Sequence, residues 1–261
     1  MRFPVSRTVG GKVIGFFREL GVFSMLLGQV IRHPAGVFRN RRLTTEQMVR
    51  IGVESLPLIT VMSVFTGAVS AWQASYQFQG ILPGATTTDF LGAAVSAALL
   101  IELCPVLTGI VISGRTGASI AAELGSMRVT EQIDALETLA IDPVRFLAVP
   151  RFTAGWFMMP ILVVYSYWIA HFGAFIVAFL MLDVSGPKFF NSVQEHFHLQ
   201  NVIGGLVKAA VFGGGTALIG CGVGFAADGG AEGVGKATIR AFVLSAAFIL
   251  IADFVLATIL F

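Results

Sequence analysis

The sequence predicts an all-α integral membrane protein: an N-terminal interfacial amphipathic helix, five transmembrane helices, and a short cytoplasmic helix between spans 2 and 3. Three observations predict it. Only 12% of the 261 residues are charged and 56% are hydrophobic, against about 25% charged in soluble domains. The mean hydropathy is +0.83. Five nearly uncharged runs are each long enough to cross a hydrocarbon core of about 30 Å at about 1.5 Å per helical residue. An ordinary soluble domain is excluded. The net charge of +2 says little about partners, and no nucleic-acid partner is expected.

The elements follow in chain order. Residues 1–50 read as a cytoplasmic or interfacial segment. Val13, Phe17, Leu20, Leu27 and Ile31 recur on one face while Arg18, Gln29 and Arg32 share another, the pattern of a helix lying among headgroups. His33-Pro34 ends it, and Thr44-Thr45-Glu46-Gln47 reads as a helix start. The first span is Ser55 to Phe78. The second, Phe90 to Gly114, carries Glu102 near its middle. The third, Phe152 to Leu182, holds 31 residues without a formal charge, enough for one tilted helix and too few for two. The fourth, Ala209 to Ala227, extends back through Lys208 to Asn201. The fifth, Ala241 to Phe261, contains Asp253, so the chain is expected to end in the membrane or at its edge.

Arg18 and Glu19 interrupt the first apolar region, so no cleaved leader is expected. Cys104 and Cys221 lie in apolar runs and imply no disulfide framework. Basic residues set the orientation. Nine of the seventeen Lys and Arg fall in residues 1–50, four between Arg115 and Arg151, and two between Asp228 and Arg240. Five crossings from a cytoplasmic N-terminus put fifteen on one side and the C-terminus on the other.

The connection from Gly114 to Pro150 is too long for a tight turn and too patterned for a linker. Thr130 reads as the N-cap of a helix from Glu131 to Ile141, with Ile133, Leu136 and Ala140 as an apolar stripe and Glu131, Asp134 and Glu137 as an acidic one. Asp142-Pro143 is expected to stop it. Such a helix, acidic side outward, is a docking surface for another protein.

Three ionisable residues fall inside spans, where a charge is costly unless paired or hydrated. Lys208 and Asp253 sit at matching depths on spans 4 and 5, which predicts an intramembrane ion pair. Gly220 and Gly224 form a small-residue motif expected to pack helices within the protomer. Gly230 to Lys236 imitates a phosphate-binding loop, but Ala237 stands where a magnesium-binding hydroxyl is needed. Phe189, Phe190, Val193 and Phe197 suggest a helix on the outer surface. His196 and His198 lack a third ligand, so no metal site is expected. No catalytic constellation is visible.

The run from Glu102 to Pro143, ELCPVLTGIVISGRTGASIAAELGSMRVTEQIDALETLAIDP, closely resembles the MlaE family of ABC-transporter permeases. The family pattern there is E-x-x-P-V, then G-R-x-G-x-x-x-x-A-E-x-G-x-M-R-x-x-E-Q-x-x-A-L, then D-P. The resemblance implies a five-span permease domain over 51–261 with a cytoplasmic coupling loop at 115–150. It further implies a homodimer in a bacterial inner membrane that moves phospholipid or a related hydrophobic molecule. The expected partners are cytoplasmic ABC ATPase subunits, which use ATP and Mg, and a periplasmic MCE-domain protein; this chain itself is expected to hold no cofactor.

By the same resemblance, Arg115, Glu123, Arg128, Glu131 and Gln132 become candidates for fixing the loop or meeting the ATPase, and Asp134 and Glu137 join them from the acidic stripe of the helix. Ser70, Gln73, Ala74, Gln77, Phe78, Ile101 and Glu102 become candidates for lining a lipid cavity. Ile101 departs from the Arg sometimes found before the Glu, leaving Glu102 without that neighbouring positive charge. The alternatives are an ATP-independent secondary transporter with Glu102, Lys208 and Asp253 as a proton relay, and a membrane scaffold without a cavity.

Overall fold

Where no water is present to satisfy backbone groups, a chain this apolar has to close its hydrogen bonds internally. The computed structural model describes residues 21, 23–30, 32, 40–81 and 86–261, and among them there is no strand. α1 (Arg41–Ile51) and a 3-10 turn (Val53–Ser55) lead into α2 (Leu56–Ile81), the first span. α3 (Thr86–Ala98), a π turn (Leu99–Leu103), α4 (Cys104–Ile112), a second π turn (Ser113–Gly117) and α5 (Ala118–Val129) form one continuous second helix. α6 (Gln132–Thr138) is the short helix of the connection, and a third π turn (Val144–Ala148) opens α7 (Val149–Met181), the third span. α8 (Gly186–Glu195) crosses the opposite end, followed by α9 (Leu199–Phe225) and α10 (Gly230–Leu260). Among the described residues five helices are long and apolar enough to cross a membrane, the number the sequence predicts.

Two span boundaries differ from the expectation. The second helix runs unbroken over Phe90–Val129, 40 residues, or about 60 Å, twice the thickness of a hydrocarbon core. Residues 115–129, expected as loop, are its last turns. Arg115 and Glu123 read as a loop because they are charged, yet no proline interrupts this stretch and its Ala and Leu residues favour helix. The fifth helix starts at Gly230 rather than Ala241, and its added turns carry an i,i+4 pair of Lys236 with Glu232 at 2.7 Å. Lys236, the lysine of the loop-like motif, is therefore in the opening turns of the fifth helix.

α7 is the central element, packed on α2 along one side and α9 along the other. Glycine makes the second approach possible: a Cβ on Gly155 would lie 2.6 Å from the Gly213 carbonyl oxygen, and one on Gly213 would collide with Gly155 and Met159. Gly213→Val is expected to cost more than the usual 1–3 kcal/mol or so of overpacking, because the obstacle is backbone; a lowered thermal midpoint of the purified protein checks it. Gly220 and Gly224 seat α9 on the second helix in the same way, 2.8 Å from Gly117 O and 2.7 Å from Leu124 Cβ when a Cβ is added.

Residues 23–30 are helical and rest on the end of the bundle that bears the basic connections. Leu26 and Val30 are the buried face, packed near Leu124, Leu147 and Leu218, whereas Leu27 is exposed. Val13, Phe17, Arg18, Leu20 and Ile31, on which the amphipathic pattern also rests, lie outside the described residues.

Candidate functional site

A cavity of about 630 Å³ opens between the first and second spans, within the roughly 300–1,000 Å³ of typical ligand pockets. α2 contributes Phe65, Thr66, Val69, Ser70, Gln73, Ala74, Gln77 and Phe78, one helix face at i, i+3 and i+4 spacing. The second span contributes Ala94, Ala98, Leu103 and Leu107. The wall is mostly hydrocarbon, with Gln73 and Gln77 exposed toward one end. Phe65, Thr66 and Val69 escaped the sequence reading although they continue the Ser70 and Gln73 face by one turn. Ala94 and Ala98 gave no signal beyond small size, which is what leaves the space.

Ile101 and Glu102 lie off this wall. With Leu103 and Leu107 on the cavity face, the preceding positions rotate away by about 100° per residue, and Glu102 turns toward α9. Lys208, fully buried, donates to Glu102 Oε2 at 2.8 Å and to Ile101 O at 3.2 Å, and lies 2.8 Å from Asp253 Oδ1. One ammonium thus holds two carboxylates from two other helices. The positive charge missing at position 101 comes from span 4, a long-range contact that no local motif announces.

The π turn prepares this cluster. Its wider winding disturbs the i→i−4 ladder and offers carbonyl oxygens to side chains. Two of them are taken: Leu100 O accepts from the Tyr167 hydroxyl at 2.8 Å and Ile101 O accepts from Lys208. The sidedness of Glu102 is therefore fixed by spans 3 and 4 together.

At the basic end, the candidate coupling residues divide into two groups. Arg115 and Glu123 tie helices together: Arg115 donates to Glu54 Oε2 at 2.8 Å, to Ser55 Oγ at 2.6 Å and to Arg50 O at 3.1 Å. Glu123 receives Arg50 at 2.7 Å and the buried Arg151 at 3.0 Å. Arg50, Glu54 and Arg151 escaped the sequence reading because their partners are remote in the chain. Arg128 pairs with Asp134 across the break between α5 and α6. Glu131, Gln132 and Glu137 are exposed.

The short helix itself differs from the expected Glu131 to Ile141. Thr130 is not its N-cap but the C-cap of α5, with its hydroxyl donating back to Ser126 O at 2.8 Å. Glu131, at φ 60°, makes the left-handed break, and α6 begins at Gln132. It ends early in a Schellman motif: Ala140, at φ 57°, donates to Glu137 O at 2.9 Å, and Ile141 donates to Leu136 O at 2.9 Å. Asp142-Pro143 is not the stop. Asp142 accepts from Val144 N at 2.9 Å and so caps the start of the next helix.

Of the expected apolar stripe, Ile133 is buried and Leu136 packs beside it, while Ala140 is exposed. The C-terminal tip instead presents Leu139, 70% exposed, and Ile141, 37% exposed. An anchored inner face and an apolar outer tip are what a docking helix needs.

The comparisons with known proteins fall in line with this arrangement. The family model for the permease MlaE matches residues 44–259. A probable ABC transporter permease protein of Synechocystis is 41% identical over 94% of this chain and 92% of its own length. The intermembrane phospholipid transport system permease protein MlaE of Haemophilus influenzae is 33% identical over 97% and 96%. Protein TRIGALACTOSYLDIACYLGLYCEROL 1, chloroplastic, of Arabidopsis thaliana is 32% identical over 99% of this chain and 72% of its own. A match that runs from α1 through the cavity, the short helix α6 and the charge cluster to the last turn of α10 makes this multi-pass membrane protein a member of the MlaE family of ABC-transporter permeases.

Proposed function

We propose that the chain is the permease subunit of an ATP-driven transporter that moves phospholipid between the inner membrane and a periplasmic MCE-domain protein. The observation that carries this reading is the cavity between α2 and the second span: apolar walls suit acyl tails, and Gln73 and Gln77 at one end suit a headgroup. Two copies facing each other across the outward apolar side chains of α2 and α10, such as Trp72, Tyr76, Ile251 and Phe254, would enlarge it into a shared chamber. The basic end faces the cytoplasm on the positive-inside rule. There α6 seats in the ATPase, which supplies ATP and Mg binding; this chain holds no cofactor. ATP-driven closure of the ATPase pair moves α6, and the cavity changes volume with it.

Filling the cavity tests the reading. Ala98→Trp is expected to cut ATP-dependent lipid transfer in proteoliposomes by roughly tenfold or more, while an unchanged thermal midpoint shows that the new side chain occupies open space. Full transfer by the Ala98→Trp protein would contradict it.

A second reading is favoured by one observation: Glu102, Lys208 and Asp253 meet inside the membrane, as proton-relay residues do in secondary transporters. Transport that needs a proton gradient and continues without any ATPase would support that reading over the first.

A further inference from the structure

At the basic end, between α1 and the second helix, lies a separate cavity of about 160 Å³ walled by Gln47, Arg50, Glu54, Arg115, Thr116 and Ser119. Its charges do not cancel. Glu54 is held by Arg115 at 2.8 Å, whereas Glu123 is held twice, by Arg151 at 3.0 Å and Arg50 at 2.7 Å. The Arg151 side chain is 5% exposed and committed to Glu123, so the surplus positive charge rests on Arg50, 45% exposed at the cavity wall. Two arginines, two hydroxyl residues and a glutamine line one space with Ile120 and with Glu54, whose carboxylate Arg115 holds, at the depth where the apolar runs of the first and second spans begin and end. That is the level of lipid phosphates, and basic pockets between helices on the cytoplasmic side are where anionic headgroups bind.

We propose that this cavity binds the phosphate of an anionic phospholipid from the cytoplasmic leaflet. The space of about 160 Å³ equals that of about five waters at ~30 Å³ each, room for a phosphate and a bridging water. Arginine supplies the matched fork for two phosphate oxygens. The acyl tails have somewhere to go. Leu107, on the floor of the larger cavity, lies on the same helix as Arg115 and about 12 Å away along it, inside the roughly 15 Å of one leaflet's hydrocarbon. The seam between α2 and the second helix thus offers a headgroup dock at its cytoplasmic end and an apolar chamber above it. The inference rests on the orientation proposed above, but its test reads binding alone, so failure leaves the transport reading intact.

The full-length protein, purified with whatever subunits accompany it, is offered phosphatidylglycerol, phosphatidylcholine or inorganic phosphate, and retained molecules are counted by native mass spectrometry. One phosphatidylglycerol per chain is expected, retained roughly tenfold better than phosphatidylcholine. Arg50→Gln, which leaves Glu123 its buried Arg151, is expected to reduce retention by roughly tenfold. Ser119→Phe, which fills the space without replacing a charged group, is expected to do the same at an unchanged thermal midpoint. Wild-type retention in both variants or equal retention of the zwitterionic lipid would overturn the proposal. So would displacement of the lipid by millimolar inorganic phosphate, which would mark a free-phosphate site.

Discussion

Lys208→Met is expected to cost about 3–5 kcal/mol of folded-state stability, the largest effect of any single substitution in the spans. The side chain is fully buried and its ammonium is the cation that Glu102 and Asp253 share. Removing it leaves two carboxylates facing each other in hydrocarbon with nothing to offset either charge. The Glu102 side chain is 47% exposed on the protomer surface, whereas that of Asp253 is 10% exposed and buried among the helices. Asp253→Asn is milder, because Lys208 keeps Glu102; a cost of about 1–3 kcal/mol is expected. The triple change Lys208→Met, Asp253→Asn, Glu102→Gln removes every formal charge and should recover a large part of the loss. Thermal midpoints of the four purified proteins decide the point. A Lys208→Met protein as stable as Asp253→Asn would show that the lysine does not hold both acids.

Leu139→Glu is expected to abolish assembly with the ATPase while leaving this chain folded. Leu139 is the C-cap of α6 and is 70% exposed, so a polar substitute should change stability by no more than about 0.5 kcal/mol. If it is the apolar anchor of the contact, losing it costs about 2–4 kcal/mol of binding, or roughly 30- to 1,000-fold in affinity. Charge reversal at Asp134 is a less clean probe, since Asp134 also pairs with Arg128 and fixes the angle between α5 and α6. Co-purification of ATPase subunits, measured beside the thermal midpoint, separates the two effects. Undiminished co-purification of the Leu139→Glu protein would move the contact elsewhere.

What the sequence made legible depends on whether the cause is local. The five spans follow from uninterrupted apolar runs, because length against bilayer thickness is a property of one segment. The continuation of the second helix past Gly114 was hidden, since charge at Arg115 and Glu123 reads as loop, whereas the helix simply runs beyond the hydrocarbon. The start of α6 was misplaced by one residue and its end by three. Thr130 and Asp142 have the right chemistry for caps, but each serves the neighbouring helix instead.

Depth along two spans was enough to set Lys208 beside Asp253, but the pairing of the same lysine with Glu102 was not visible. Glu102 joins it because a π turn and the bonds from Tyr167 and Lys208 set its direction. The Arg50, Glu123 and Arg151 network is equally non-local. Ser70, Gln73 and Gln77 on α2, candidates by resemblance to the family, do line the cavity. The opposing wall, Ala94 and Ala98, was not legible, because an absence of bulk leaves no pattern.

On the proposed function, this permease moves lipid at the expense of ATP hydrolysed by a docked partner. Reconstituting the purified complex into liposomes and following transfer of a labelled phospholipid to an acceptor protein tests it most directly. Transfer is expected to require ATP, to be stopped by vanadate and to be lost with Leu139→Glu. Transfer at full rate without ATP or without the ATPase, sustained by a proton gradient alone, would contradict it.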